Sequence, residues 1–346
     1  MPNEVLFAGG RLGSVEIVAV SVSEVTTAGH FDSAYADAAI AFTSQFAAVK
    51  HKLFTETAGV LSATTIVSGE TLFAHFEAWG AFSSVSGADG GGVQLLDSSG
   101  FPWIRMSRNI GTTAGALLSF YYNSNTGASP TWTQIGADFP TTSNTRYVFD
   151  IELTIGSPHE VKLYMNGSLT RSTTFTNANL TNIAEVRIAN FNRTSGQLSL
   201  SQILATRGVS TIGANVKTCR ATGAGANTGW SNSYTAVNEA INSDATLQNA
   251  TSNGLKSSHA MGDVTVSSGF EIKSVFHWLR AKNDGTGPVN IKSLLRSGGT
   301  DYSTGNLSGV GLAYAPVGAR YNLDPLGANW TQTSWNAIEA GYESAT

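Results

Sequence analysis

Little in this sequence carries charge. Of 346 residues only 13% are Asp, Glu, Lys or Arg, about half the usual share for a soluble domain. Long solvent-facing helices draw on Glu, Lys and Arg for propensity and solubility, so the composition argues against a helical architecture. The balance is slightly acidic, −4 with a pI near 5.9. That removes the usual electrostatic footprint of a nucleic-acid binder, and no nucleic-acid partner is expected. Cysteine is almost missing: Cys219 stands alone, which excludes an internal disulfide and a cysteine-based zinc site. No apolar run approaches the ~18 residues of a membrane span. The stretch Ala34–Ala41 is short and broken by Asp37, so no membrane insertion is expected. The opening MPNEVLFAGGRLG shows no charged region followed by an apolar one, and synthesis in a cytosol without a secretory leader is expected.

Catalytic signatures are missing too. There is no GxSxG, HExxH, P-loop or DxDxDG pattern. The Gly-rich stretches Gly87–Gly92 and Gly223–Gly229 are not followed by convincing helices, and they read as turn or linker. The histidines at 30, 51, 75, 159, 259 and 277 have no i,i+2 or i,i+4 partners, so no metal site is legible. His75 and His277 lie within apolar strands and read as hydrogen-bonded, half-buried residues. No cofactor is expected. Oxygen-only calcium sites leave almost no trace in sequence; Asp89 and Asp97 are the loop acids that such a site would use.

What the sequence does hold is aromatic residues at 10%, 37 glycines, and many Ser, Thr and Asn residues. Enough apolar surface is present to bury a core, which excludes disorder. The strongest element is Arg146–Ile155, where Tyr147, Phe149, Ile151 and Leu153 alternate with Val148, Asp150, Glu152 and Thr154. His159–Met165 and Ser168–Thr174 follow, joined by Asn166-Gly167, a dipeptide that tolerates positive φ at both positions of a type I′ turn. Glu70–Phe82, Gly92–Asp97, Phe101–Met106, Ala116–Tyr122, Trp132–Ile135, Ile183–Ala189 and Leu198–Thr206 continue the series. Strands at this spacing with Gly and Asn turns predict an antiparallel sandwich. Ser33–Val49 is by composition the best early helix candidate, but Tyr35, Ile40, Phe42 and Phe46 fit a strand pair almost as well, so the segment stays ambiguous. After the Gly-rich segment 208–229, read as a junction, the pattern restarts: Tyr234–Ile241, Gly269–Ala281, Val289–Arg296 and Gly309–Ala315. Trp330–Gly341 reads as a short helix, with Thr331 or Thr333 as N-cap and Gly341 as its left-handed C-terminal residue. The predicted organisation is an N-terminal attachment segment (1–49), a first sandwich (50–207), the junction (208–229) and a second sandwich (230–346).

The segment RYVFDIELTIGSPHEVKLYMNGSLTRSTTF, with IAEVRIAN after it, resembles the laminin-G/concanavalin A-like jelly roll in the order of its strands and hairpin. The C-terminal half is similar to a module of tailed-bacteriophage virion proteins. Trp230, Val237-Asn238-Glu239, Arg296–Tyr302, Asp324-Pro325, Trp330-Thr331 and Gly341 carry that likeness. The opening LFAGGRLGSVEI, then EVTTAGHFDSAYADAAI, resembles the start of such proteins. Asn238 departs from the pattern, where Asp is more usual before Glu. The resemblance implies a virion component (tail, fibre or capsid decoration) assembled in the host cytoplasm, working as a homo-oligomer or docked on other virion proteins, with no catalytic activity of its own.

Two functions follow from this reading. One is structural and adhesive, with contact to host-surface polysaccharide. Flat rings stack on sugars and fixed polar groups satisfy hydroxyls, and Trp103, Arg105, Tyr121, Tyr122, Asn123 and Trp132 cluster in sequence beside predicted turns, where loops carry function. The competing account, that these rings fill the core and edge of the sandwich, is the stronger on spacing alone. The other function is a carbohydrate-active enzyme. Asp150 and Glu152 project to one face of a strand about 7 Å apart, within the carboxyl spacing of glycosidases, and Glu77 and Trp79 would line the same groove. A polar outer face on a sandwich strand is the stronger account of them.

Overall fold

The computed structural model describes residues 4–9, 16–19, 22–26, 38–42, 48–80, 92–109, 116–125, 129–142, 145–189, 198–238 and 244–346. The chain forms two compact units. The first comprises residues 1–54 and 63–216, the second 55–62 and 217–346. Residues 1–49 thus fall within the first unit, and the short excursion 55–62 falls within the second.

The first unit is built on two eight-stranded antiparallel sheets. One runs in the order Ser168–Phe175, His159–Met165, Arg146–Thr154, Thr71–Gly80, Leu198–Arg207, Ala38–Phe42, Val22–Thr26, with Glu4–Gly9 paired to Leu198–Arg207. The other runs Trp132–Gln134, Ala116–Asn123, Pro102–Asn109, Gly92–Leu96, Glu185–Ala189, Ala48–Lys52, Glu16–Ala19, with Phe139–Thr141 paired to Ala116–Asn123. The ambiguous segment thus contributes strands: 38–42 enters one sheet and 48–52 the other.

Alternation fixes which face each strand buries. Tyr147, Phe149, Ile151 and Leu153 are buried and lie opposite Ala78, Phe76, Ala74 and Leu72. In the second sheet Val93, Leu95, Ile104, Met106, Phe120, Val186 and Ile188 do the same. Burying one such side chain is worth ~1.5–3 kcal/mol, so these rows hold the sandwich together. The hairpin at Asn166-Gly167 has φ of 51° and 78°, as a type I′ turn requires. Asn166 Oδ1 also accepts from Val148 N at 2.9 Å, tying the turn to the strand behind it.

The second unit has a five-stranded and a four-stranded sheet. The first is ordered Ala221–Thr228, Lys256–Met261, Glu339–Ala345, Asn290–Ser297, Thr300–Asn306, and the second Val275–Ala281, Ala315–Tyr321, Val60–Ala63, Phe54–Thr57. Two side-chain clusters fill it, one around Ile291, Leu307, Val317 and Tyr342, the other around Leu295, Trp330, Trp335 and Ile338. Both buried indoles find an acceptor, as a buried Trp needs: Trp330 Nε1 donates to Tyr321 O at 2.9 Å and Trp335 Nε1 to Gly262 O at 3.1 Å.

Five expectations need correction here. The segment ATGAGANT, read as part of a junction, is an edge strand. Gly225 is there for approach: a Cβ on it would lie 2.6 Å from the Ser258 carbonyl carbon. The C-terminal helix is only Gln332–Asn336, capped by Thr331 in a reciprocal bond with Ser334. Gly341 caps nothing; it lies in the central strand Glu339–Ala345, where a Cβ would collide with the Ser257 carbonyl oxygen. The strand expected over 309–315 begins instead at Ala315, and Tyr234–Ala236 is a turn of 3₁₀ helix.

Candidate functional site

The six residues singled out for glycan contact separate into two groups. Trp103 and Asn123 are structural. Trp103 is 2% exposed, and its Nε1 donates to Asp97 Oδ2 at 3.0 Å. Asp97 Oδ1 accepts from Ser99 N, Ser99 Oγ and Phe101 N, so its carboxylate organises the hairpin turn. Burial works to raise the Asp97 pKa, yet the bonds from Ser99, Trp103 and Phe101 prevail and hold it below the ordinary carboxylate value. Asp89, its proposed companion for calcium, lies outside the described residues. Asn123 is fully buried; its Oδ1 accepts from Asn125 N and Thr131 N and its Nδ2 donates to Pro102 O. It braces a loop and offers nothing to a ligand. Tyr122 is half-buried and stacks on Phe175 with centroids 4.5 Å apart. It shares the face of Phe120, toward the core, and leaves the expected patch.

Arg105, Tyr121 and Trp132 do come together. Arg105 and Tyr121 are register partners on adjacent strands, and Tyr121 also pairs with Gln134 two residues beyond Trp132. The Arg105 guanidinium lies 5.5 Å from the Trp132 ring centroid and 6.0 Å from that of Tyr121. The two rings meet edge to face at 6.5 Å. Alternation puts all three on the face turned away from the core, because Ile104, Met106 and Phe120 hold the other. Tyr121 and Trp132 keep part of their surface exposed, while Arg105 is 8% exposed beneath them. A cation held against two rings fixes their planes, giving a rigid half-exposed aromatic corner at the sheet edge.

The carboxylates of the enzymatic alternative are committed elsewhere. Asp150 is fully buried; its Oδ1 is 2.7 Å from His75 Nδ1 and accepts from Thr211 Oγ1 at 2.7 Å. His75 is 1% exposed, more deeply buried than the sequence reading had it. Glu152 accepts from Lys162 Nζ at 3.0 Å and Tyr164 Oη at 2.8 Å. Glu77 is buried beside Arg146 at 3.4 Å; the side chain of Trp79 lies outside the described residues. Asp150 and Glu152 share one face of their strand, but Asp150 serves a buried network and Glu152 an ion pair. His277 is bonded to Ser293 Oγ at 2.6 Å.

Reasoning from sequence missed three residues that continue the aromatic corner. Arg105 is in register with Gln94, Gln94 with Arg187, and Arg187 with Lys50. A partial signal was available: Gln94 is the one polar side chain of the apolar strand GVQLL, and all three lie at the parity opposite the core residues.

No protein-family model and no curated protein sequence matches this chain. The solved structures similar to it are jelly-roll, concanavalin-like β-sandwiches. They include the endo-β-1,4-glucuronan lyase of Trichoderma reesei (11% identity, TM-score 0.40, covering 57% of this chain and 92% of that one). The globular domain of T. cruzi calreticulin is another (10%, 0.36, 54% and 86%). The receptor-binding domain of botulinum neurotoxin D is a third (12%, 0.37, 55% and 44%), and this chain spans under half of that one. At this distance the likeness concerns build alone and says nothing of ligand or chemistry.

Proposed function

We propose that this chain is a non-enzymatic β-sandwich protein of a bacteriophage virion whose first unit contacts glycan on the host surface. One observation carries the glycan half of this reading: the corner of Arg105, Tyr121 and Trp132 on the face of the sheet turned from the core. A sugar presents an apolar C–H face to a ring and hydroxyls to fixed polar groups, and such a corner supplies both. The virion half is supported by the likeness of the C-terminal segments, with other virion proteins and further copies of the chain as its partners.

Affinity electrophoresis of the purified chain through gels containing host-surface polysaccharide tests the first half. Retardation is expected for the wild-type chain. Trp132→Ala and Tyr121→Ala should lose it with an unchanged melting temperature; retardation that survives both substitutions overturns the reading. Mass spectrometry of purified particles tests the second half, and absence of the chain from them overturns it.

A further inference from the structure

Two sheets make up the second unit, and among the described residues their outermost strands are Ala221–Thr228, Thr300–Asn306, Phe54–Thr57 and Val275–Ala281. A sheet edge is a template on which another chain can pair, and short length, bulges and charge are what blunt it. Ala221–Thr228 slips register twice against its neighbour. Thr300–Asn306 slips once and carries Asp301 and Gly305. Phe54–Thr57 is four residues long and carries Glu56. Val275–Ala281 has none of these features. Its seven residues pair with Ala315–Tyr321 without a slip. It reads VFHWLRA, with no Gly, Pro, Lys or acidic residue, which is the composition that pairs most readily with a further strand.

Among the described residues no strand pairs with the other side of Val275–Ala281. Arg280 is exposed and the other six residues are half-buried. The Trp278 indole leans inward over the neighbouring strand: a Cβ on its register partner Gly318 would lie 2.6 Å from the ring. Phe276 lies beside it with planes 17° apart and centroids 5.9 Å apart. The strand also fits a second copy of itself. Antiparallel pairing about Trp278 engages all seven residues, a ladder about 24 Å long. It sets Val275 against Ala281, Phe276 against Arg280 and His277 against Leu279. Parity is kept, because Val275, His277, Leu279 and Ala281 share the face whose register partners include the buried Val317 and Ala319. The core face of one copy thus continues as the core face of the other. No like charges meet. Arg280 is the one charged residue of the strand, and Asp244 of its own chain neutralises it through bonds of 2.7 and 2.9 Å.

Resting on the reading above that further copies of the chain are among its partners, we infer that Val275–Ala281 is the contact between two copies, paired antiparallel about Trp278 so that the four-stranded sheets of two chains become one continuous sheet. Such a contact is isologous: the same strand serves both sides and closes the pair.

Sedimentation velocity of the intact chain between about 1 and 100 µM should show a dimer that fills as concentration rises. Phe276→Lys sets an ammonium opposite Arg280 of the second copy and should weaken the dimer at least about tenfold, with circular dichroism unchanged. Cross-linking reads the register. In a Cys219→Ser background, a mixture of Phe276→Cys and Arg280→Cys chains should give a disulfide-linked dimer on mild oxidation, and neither chain alone should. Residues directly opposite on antiparallel strands have Cα atoms about 4.5–5.5 Å apart, within disulfide reach. The mixture also decides the matter if Phe276→Lys does not fold. A chain that stays monomeric over that range, a dimer that Phe276→Lys leaves intact, or cross-linking of either variant alone as readily as the mixture overturns the inference. A monomer whose Phe276→Lys variant is missing from particles that hold the wild type also overturns it, and gives the strand to another virion protein. In each of these cases recovery of the wild-type chain from purified particles leaves the virion reading standing, and its absence from them overturns that reading whatever the sedimentation shows.

Discussion

Acid should loosen the first unit through one histidine. His51 is 1% exposed, its Nδ1 lies 3.3 Å from the Val186 carbonyl, and its ring stands edge-on to Phe7 at 4.8 Å. The carbonyl can only accept, so a proton sits on Nδ1, and burial disfavours a second one on Nε2. Burial drives its pKa down from 6.5 to about 3, against a small opposing pull from the Val186 carbonyl. Unfolding restores the ordinary value. Between pH 6.5 and about 3 the unfolded chain therefore binds a proton that the folded chain excludes, and stability falls as pH falls through that window. At 1.36 kcal/mol per pH unit, the loss between pH 7 and pH 5 is about 2 kcal/mol from this residue. A urea slope near 2 kcal/mol/M turns that into a midpoint shift of about 1 M. His51→Phe keeps the ring but not the titration. It should cost ~1 kcal/mol at pH 7 for the lost bond to Val186, and should then lose about 2 kcal/mol less than wild type on acidification. Contributions common to the two proteins cancel in the difference. Identical pH dependence in the two proteins, or a His51 ring resonance that titrates near pH 6.5 in the folded state, refutes the argument.

Trp103→Ala should lower the melting temperature of the first unit by several degrees, since removing a buried Trp costs ~3–5 kcal/mol, whereas Trp132→Ala should leave it within a degree or two; scanning calorimetry compares them. In the second unit Asp301 holds bonds from Arg296, Lys256 and Asn227, and although burial works to raise its pKa these partners bring it from 3.8 to about 2. Its contribution is present above pH 3.8 and lost as pH falls toward 2, so Asp301→Asn should weaken the unit at neutral pH and flatten that acid limb in thermal melts. Gly341→Ala should be poorly tolerated, because its Cβ would meet the Ser257 and Ser258 backbone on the neighbouring strand. Overpacking of this kind costs ~1–3 kcal/mol, and wild-type stability in that variant would show that the sheet can part there at no cost.

Much of the fold was legible because alternation and turn chemistry are local. The strand 146–154 and the hairpin that follows it announce themselves in ten residues or fewer, since apolar parity and Asn166-Gly167 each state one requirement. Glycine defeated the reading where its purpose was contact. Gly225 and Gly341 look like linker and cap in sequence, but each admits a neighbouring backbone that only the folded sheet supplies. The Ala-rich stretch around 38–52 carried no preference of its own, and pairing decided it. Residues 55–62 join the second unit through a partner at Ala319, opposite Val60, which lies more than half the chain away.

The site was half legible for the same reason. Sequence clustering brought together Trp103, Tyr121, Tyr122 and Trp132, but neighbours along a strand alternate in face, so a cluster in sequence is divided by the sheet into two. Tyr121 and Tyr122 are adjacent and face opposite ways, one to the polar row and one to Phe175. What a sheet does collect is one residue from each of many strands. Gln94, Arg187 and Lys50 come from separate strands and meet only through register. A surface on a sandwich is therefore best sought among residues that share register and parity across strands, and less among neighbours in sequence. Aromatic density marks only the end of the row, where a ring can cover the sheet edge.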